Sequence, residues 1–288
     1  MGEEKKSEKR LGAKRAALIA AVAVVVVAAI GFWYVNYQIP HNNAVDAFNT
    51  AADGLSQRNE ELDEAIASLQ ELMGSEEQPY DASVLDAASS AIGEAQGAKC
   101  DVPEMPSGTD EIIAAAEEID GMGDYSAQLE ALAGAQANLQ DSIDQLKQVT
   151  NPTEQFVIGR LTGLPNITGV EAVTEDNDPN GNLNKQGGYT STVYFSSDLV
   201  DQSEVYLSEG YTGIPAAGTD GGGAVEVYAT VEDAEERDAY LAALDGGFLS
   251  SGSHRVVGTC VVRTSDLLTA SQQQEMEQSV IDSLIRLD

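Results

Sequence analysis

The stretch Asp176-Asn177-Asp178-Pro179-Asn180-Gly181-Asn182 sets short oxygen-bearing side chains on alternate positions. A calcium loop needs such donors at its first, third and fifth positions, and a glycine at the sixth to turn the chain so that the oxygens converge. Asp176, Asp178, Asn180 and Gly181 meet that pattern. The twelfth position, where a bidentate Glu belongs, is Gly187, Pro179 is unusual inside such a loop, and helical flanks are missing, so this is not an EF-hand. Two readings stay open. One is a weak calcium site on Asp176, Asp178 and Asn180, and calcium is then the only cofactor the residues suggest. The other is a turn between two strands, which Asp, Asn, Pro and Gly serve equally well.

His254, Cys260 and Arg263 offer the residue types of the Cys/His/Arg set of sortases. Read as one strand over Arg255–Val262, the spacing places His254 about 20 Å from Cys260, with Cys260 and Arg263 on opposite faces. That geometry excludes a thiolate–imidazole pair. The other histidine, His41, lies beside an apolar span. No CxxC spacing is present, so neither structural zinc nor a thioredoxin-like site is indicated. Cys100 and Cys260 are the only cysteines. In an exported chain they are expected to pair, tying a loop of the helical region to the sheet. Asp220-Gly221-Gly222-Gly223 lacks the following helix N-terminus of a phosphate loop, and reads as a flexible turn. Leu164-Pro165-Asn166-Ile167-Thr168-Gly169 is like a sorting signal with one residue too many, and it contains a formal glycosylation sequon at Asn166. Mid-chain and without a terminal apolar tail, it reads as coincidence.

The elements that must hold these residues begin with a membrane segment. Ala16 to Val35 carries no charge over twenty residues. At about 1.5 Å per residue this spans roughly 30 Å, the thickness of a hydrocarbon core. Residues 1–15 carry Lys5, Lys6, Lys9, Arg10, Lys14 and Arg15 against Glu3, Glu4 and Glu8, a local +3 in a chain of net charge −33, which leaves −36 for the rest. The basic tail 1–15 is therefore expected inside the cell, the span at 16–37 and the body outside. Phe32, Trp33, Tyr34 and Tyr37 close the far end, where aromatic rings favour the headgroup interface. A cleaved signal peptide would have a shorter apolar run and a small-x-small site, where this chain has bulky rings. The acidity of the body excludes nucleic acid as a partner, since phosphate repels it.

Residues 41–150 read as helices. Val45, Phe48, Ala52, Leu55, Asn59, Leu62, Ile66, Leu69 and Met73 alternate by three and four, a coiled-coil-like seam with one polar member, Asn59. Gly74 to Pro79 breaks it. Shorter helices are expected over 82–98 and around Ile112, Ile113, Ala116 and Ile119. A second seam runs through Tyr125, Leu129, Leu132, Gln136, Leu139, Ile143 and Leu146. Stripes of this kind pack on one another, so an antiparallel bundle or hairpin stalk is predicted.

At Asn151 the pattern changes. Asn151-Pro152-Thr153-Glu154 predicts a cap on Asn151 and a short helix. Four strands are expected at Ile167–Thr174, Thr190–Phe195, Ala224–Thr230 and Arg255–Val262. One helix starts at Thr230, and a last one is capped by Thr269 with Gln272. Strands outnumber crossovers, so 151–288 is predicted to be an α+β domain, an antiparallel sheet with helices on one face.

The stretches 164–201, 218–246 and 251–272 resemble a recurrent C-terminal module of Gram-positive membrane-anchored surface proteins. The phrase Thr174-Glu175-Asp176-Asn177-Asp178-Pro179-Asn180-Gly181, followed by Gly187-Gly188-Tyr189-Thr190, is its most specific part. The resemblance implies a bacterial envelope setting and carries no site residues. With no catalytic constellation found, the expectation is a non-enzymatic, membrane-anchored extracytoplasmic protein that binds an envelope or extracellular protein or polymer. The alternative is a cell-wall or surface-polymer enzyme with an acid/base pair among its many Asp and Glu.

Overall fold

The computed structural model describes residues 2–247 and 252–288, with side chains from Lys14 onward. The charges on Lys5, Lys6, Lys9 and Arg10, and Ser251 of the third resembling stretch, lie outside the described residues. The fold is α+β, with a long apolar helix at the N-terminus, further helices, and an open five-stranded antiparallel sheet.

Helix α1 (Gly2–Trp33) runs through a π turn at Tyr34–Gln38 into α2 (Ile39–Met73). Pro40 accounts for the π turn. It has no N–H to give to the carbonyl of Asn36, and its ring would crowd that carbonyl in a regular α-helix. Widening one turn removes the conflict without ending the helix. Trp33 and Ile39 on either side keep right-handed helical dihedrals.

The chain forms two compact units, 1–70 with 89–133 and 71–88 with 134–288. The first holds the span, most of α2, and α4 (Thr109–Asp120). Its core joins Ala44, Phe48, Ala51 and Leu55 of α2 to Ile112, Ala116 and Ile119 of α4. Asn59 explains itself as the polar member of the first seam. Its amide donates to the carbonyl of Cys100 at 2.9 Å and accepts from the Tyr125 hydroxyl at 2.7 Å. That hydroxyl in turn accepts from the Cys100 N–H at 2.9 Å. Two buried side chains thus close the polar groups of a loop that helical packing alone would leave open. Helices α3 (Ser83–Ala98) and α5 (Ser126–Gln148) complete the predicted set.

In the second unit the strands are β1 (Ile167–Ala172), β2 (Ser191–Ser197), β3 (Gly222–Val227), β4 (His254–Val257) and β5 (Cys260–Thr264), in the spatial order β1-β2-β3-β5-β4. The expected strand Arg255–Val262 is a hairpin instead: Gly258 and Thr259 turn the chain, so that Val257 pairs with Cys260 and His254 with Arg263. An alternating β-branched run cannot show this break, because both arms share its composition; the glycine inside the run is the only mark.

Helices cover both faces of the sheet, rather than the one predicted. On one face Val193, Phe195, Val225, Val227, Cys260 and Val262 pack against α6 (Glu154–Leu161) and α8 (Ala270–Ile285). On the other, Tyr194, Ala224, Tyr228 and Val261 pack against Ala234 and Leu241 of α7 (Val231–Ala242). Thr153, not Asn151, caps α6, accepting from the Phe156 N–H. Asn151 takes a left-handed φ of 49° and gives its N–H to Thr259. Thr269 and Gln272 form the predicted capping box of α8. Gly222 and Gly223, expected in a flexible turn, open β3 as buried strand residues.

Candidate functional site

The densest polar chemistry lies on the α7 face of the sheet. Alternation along β3 sends Val225 and Val227 to the α8 side and Glu226 to the α7 side. Glu226 is fully buried. Its carboxylate accepts from Arg237 of α7 at 2.9 and 3.1 Å, from Arg263 of β5 at 2.6 Å and from the Tyr228 hydroxyl at 2.8 Å. Burial pushes the Glu226 carboxyl up, but the guanidinium groups of Arg263 and Arg237 outweigh it and hold the group below the usual carboxylate range. Burial also raises the hydroxyls of Tyr194 and Tyr228, and the nearby Glu226 charge adds to it. The cluster is one carboxylate against two guanidinium groups, sealed under a helix. Arg263 Nε has no partner among the described residues.

Next to it, His254 of β4 joins two carboxylates, with Nδ1 2.6 Å from Asp238 of α7 and Nε2 3.4 Å from Asp245. Helix α7 is thus fastened to the sheet by ion pairs of opposite polarity, Arg237 to Glu226 and Asp238 to His254.

The loop expected to bind calcium is built differently from a cation cage. Asp178 is 2% exposed. One carboxylate oxygen accepts from the Asn180 N–H at 3.0 Å and from the Tyr189 hydroxyl; the other accepts from the N–H groups of Asn182 at 2.7 Å and Leu183 at 2.9 Å. Burial pushes this carboxyl up, yet the four donors hold it below its usual range. A cation needs free lone pairs, and here hydrogens occupy them. Asn180 turns its amide to the Tyr194 hydroxyl at 2.9 Å, and Asp176 is exposed. No group of three His, Cys, Asp or Glu suited to a metal is found among the described residues. The two halves of the surface-module phrase meet at this hub: Tyr189, from the second half, gives its hydroxyl to Asp178 in the first.

His254, Cys260 and Arg263 divide between the faces. His254 and Arg263 are cross-strand partners on the α7 side, whereas Cys260 faces the α6–α8 core. The separation along a single strand, expected from the sequence, does not apply. Cys260 has no base beside it, its thiol points at the Val149 carbonyl 3.6 Å away, and burial pushes it up to about 12. The expected disulfide is absent. Cys100 and Cys260 are both free, one in each compact unit, and the Cys100 thiol lies 3.6 Å from the Ala98 carbonyl. The sorting-signal-like stretch folds as a turn into β1, with the Ile167 N–H on the Leu164 carbonyl.

Glu226, Arg237 and Tyr189 were not singled out from sequence. The available signal for Glu226 is a lone charge between two valines on a strand, which places it under whatever covers that face.

The chain matches no family model, no curated protein and no solved structure.

Proposed function

We propose that this chain is a membrane-anchored protein whose body lies outside the cell and works by binding an envelope or extracellular partner. One observation carries the anchor. The most apolar stretch of the helix that begins at Lys14 has a mean hydropathy of 2.7, and none of it is buried by the rest of the chain. Leu18, Ile19, Val24, Val25 and Val27 are each about two-thirds exposed. An apolar surface of that length without a protein partner is suited to lipid. The basic residues before the span support an inside tail. The surface-module phrase supports a Gram-positive envelope.

Binding rather than carboxylate catalysis is supported by the state of the buried acids. Glu226 and Asp178 are each saturated by protein donors. The strong negative charge of the body favours a basic or neutral partner over nucleic acid.

The test has two parts. Carbonate-washed membranes should retain the protein, and protease added to intact cells should remove 151–288 while sparing the tail. Release by carbonate sinks the anchor, and protection of 151–288 in sealed cells sinks the orientation.

A further inference from the structure

We infer that the groove where the helix leaves the membrane is a binding site for a lipid headgroup carrying a primary ammonium. The inference rests on the anchor reading but not on its orientation. The groove, about 450 Å³, is lined by Asn36, Tyr37 and Pro40 from the emerging helix and by Gly108, Thr109, Asp110 and Glu111 at the start of α4.

Its height decides what can occupy it. Val35 is the last residue of the uncharged run, so Asn36 to Pro40 lie within about 8 Å of the end of the hydrocarbon span at 1.5 Å per residue. The headgroup layer on each side of a bilayer is about 5–7 Å thick. The α4 segment is held at the same level by a 3.1 Å hydrogen bond between His41 and Thr109. Lipid headgroups are therefore the molecules present at this depth.

Charge decides which headgroup. Asp110 and Glu111 are exposed, and no ion pair engages either among the described residues. Between residues 36 and 133 the cations are Arg58 and Lys99. Arg58 donates to the Ile119 carbonyl and Lys99 pairs with Asp63, so both are committed elsewhere. The balancing charge must come from outside the chain. An anionic headgroup would be repelled, whereas an ammonium would complement the two carboxylates.

The third wall is aromatic. Trp33, Tyr37 and His41 stack at four-residue spacing, with ring centroids 6.0 and 6.2 Å apart. The ladder leads from the membrane interface into the groove, and Tyr37 is 55% exposed. The face of a phenol ring is itself attractive to a cation. A primary ammonium meets both demands, since its N–H groups donate to the carboxylates while its charge sits by the ring.

Native mass spectrometry tests this on the full-length chain released from nanodiscs of equal parts phosphatidylethanolamine, phosphatidylcholine and phosphatidylglycerol. Retained phosphatidylethanolamine should exceed phosphatidylglycerol on the order of tenfold, about 1.4 kcal/mol, with phosphatidylcholine between them. Asp110→Asn with Glu111→Gln should bring the three to parity. Tyr37→Leu should cut the preference by about twofold to fivefold. Glu60→Gln with Glu64→Gln, on the exposed side of α2, should leave it unchanged. Parity in the unmodified protein, persistence of the preference in the Asp110/Glu111 variant, or an equal loss in the Glu60/Glu64 variant would each overturn the assignment. Failure to enter any bilayer would remove the anchor reading and the site with it. Insertion with parity would remove the site alone.

Discussion

Replacing Glu226 by glutamine tests whether the α7 face is held by a buried ion cluster. The substitution keeps the shape and removes the charge. Arg237 has a side chain 16% exposed and can turn towards water, but Arg263, at 6%, cannot. A guanidinium would be left buried against a neutral amide. Removing one partner of a buried pair costs about 3–5 kcal/mol, because the remaining charge stays desolvated. For a unit of this size that is a drop in Tm of about 6–20 °C. Tyr189, Tyr194 and Tyr228 are buried around the site, so near-ultraviolet circular dichroism of the full chain in nanodiscs reports on it directly. The same reasoning makes a second claim. Glu226→Leu combined with Arg263→Met removes both charges and should be more stable than Glu226→Gln alone, since an apolar pair of similar volume replaces a buried ion pair at little cost. A loss below about 1 kcal/mol for the single variant, or a double variant less stable than the single one, would show that Arg263 does not depend on Glu226.

Asp178→Ala should destabilise the sheet unit by more than a single hydrogen bond is worth, about 3 kcal/mol or more, since four donors lose their acceptor together; its melting, like that of the unmodified protein, should be indifferent to calcium and chelator. The Asp178 carboxyl is held below its usual 3.8, so its contribution is complete above that pH and fades as pH falls through the folded value. The gap in Tm between the unmodified protein and Asp178→Asn should therefore narrow on acidification, and a gap that widens would contradict the sign. Thiol labelling of the unfolded, unreduced chain should find two free cysteines, and in the folded protein Cys260 should react far more slowly than Cys100, which is only half-buried.

The helices were legible because their apolar spacing is long and regular: both seams, from Phe48 to Leu69 and from Leu132 to Ile143, hold residues buried in the structure. Thr269 and Gln272 were legible for a local reason, since a capping box needs only its own turn. The α7 face was not legible. Glu226, Arg237 and Arg263 are eleven to thirty-seven residues apart and meet only through sheet register and helix docking. The acidic loop misled in an instructive way. Short oxygen side chains at alternate positions serve equally to gather a cation's ligands and to gather backbone N–H groups. Tyr189 decides between them, and its role depends on contact with Asp178 across the loop.

The hairpin turn at Gly258 joins the helical region to the sheet, and its chemistry can be separated into two parts. The turn is fixed to the end of α5: the Thr259 N–H donates to the Val149 carbonyl at 2.9 Å, and the Thr259 hydroxyl accepts from the Asn151 N–H at 2.8 Å. Gly258 has a φ of 58°, and a Cβ there would lie 2.3 Å from the Val149 carbonyl oxygen. Gly246 has a similar φ of 69° with nothing within 4 Å of an added Cβ. Gly246→Ala therefore measures the backbone conformation alone, about 1–2 kcal/mol. Gly258→Ala adds a collision with main-chain atoms that cannot turn aside, so it should cost at least about twice as much. The extra cost should be local, because the same carbonyl anchors Thr259. Hydrogen exchange at the Thr259 and Asn151 amides should accelerate together in Gly258→Ala and stay slow in Gly246→Ala. Equal losses in the two variants would mean that α5 gives way without cost, and the helix end would then not be rigidly joined to the sheet.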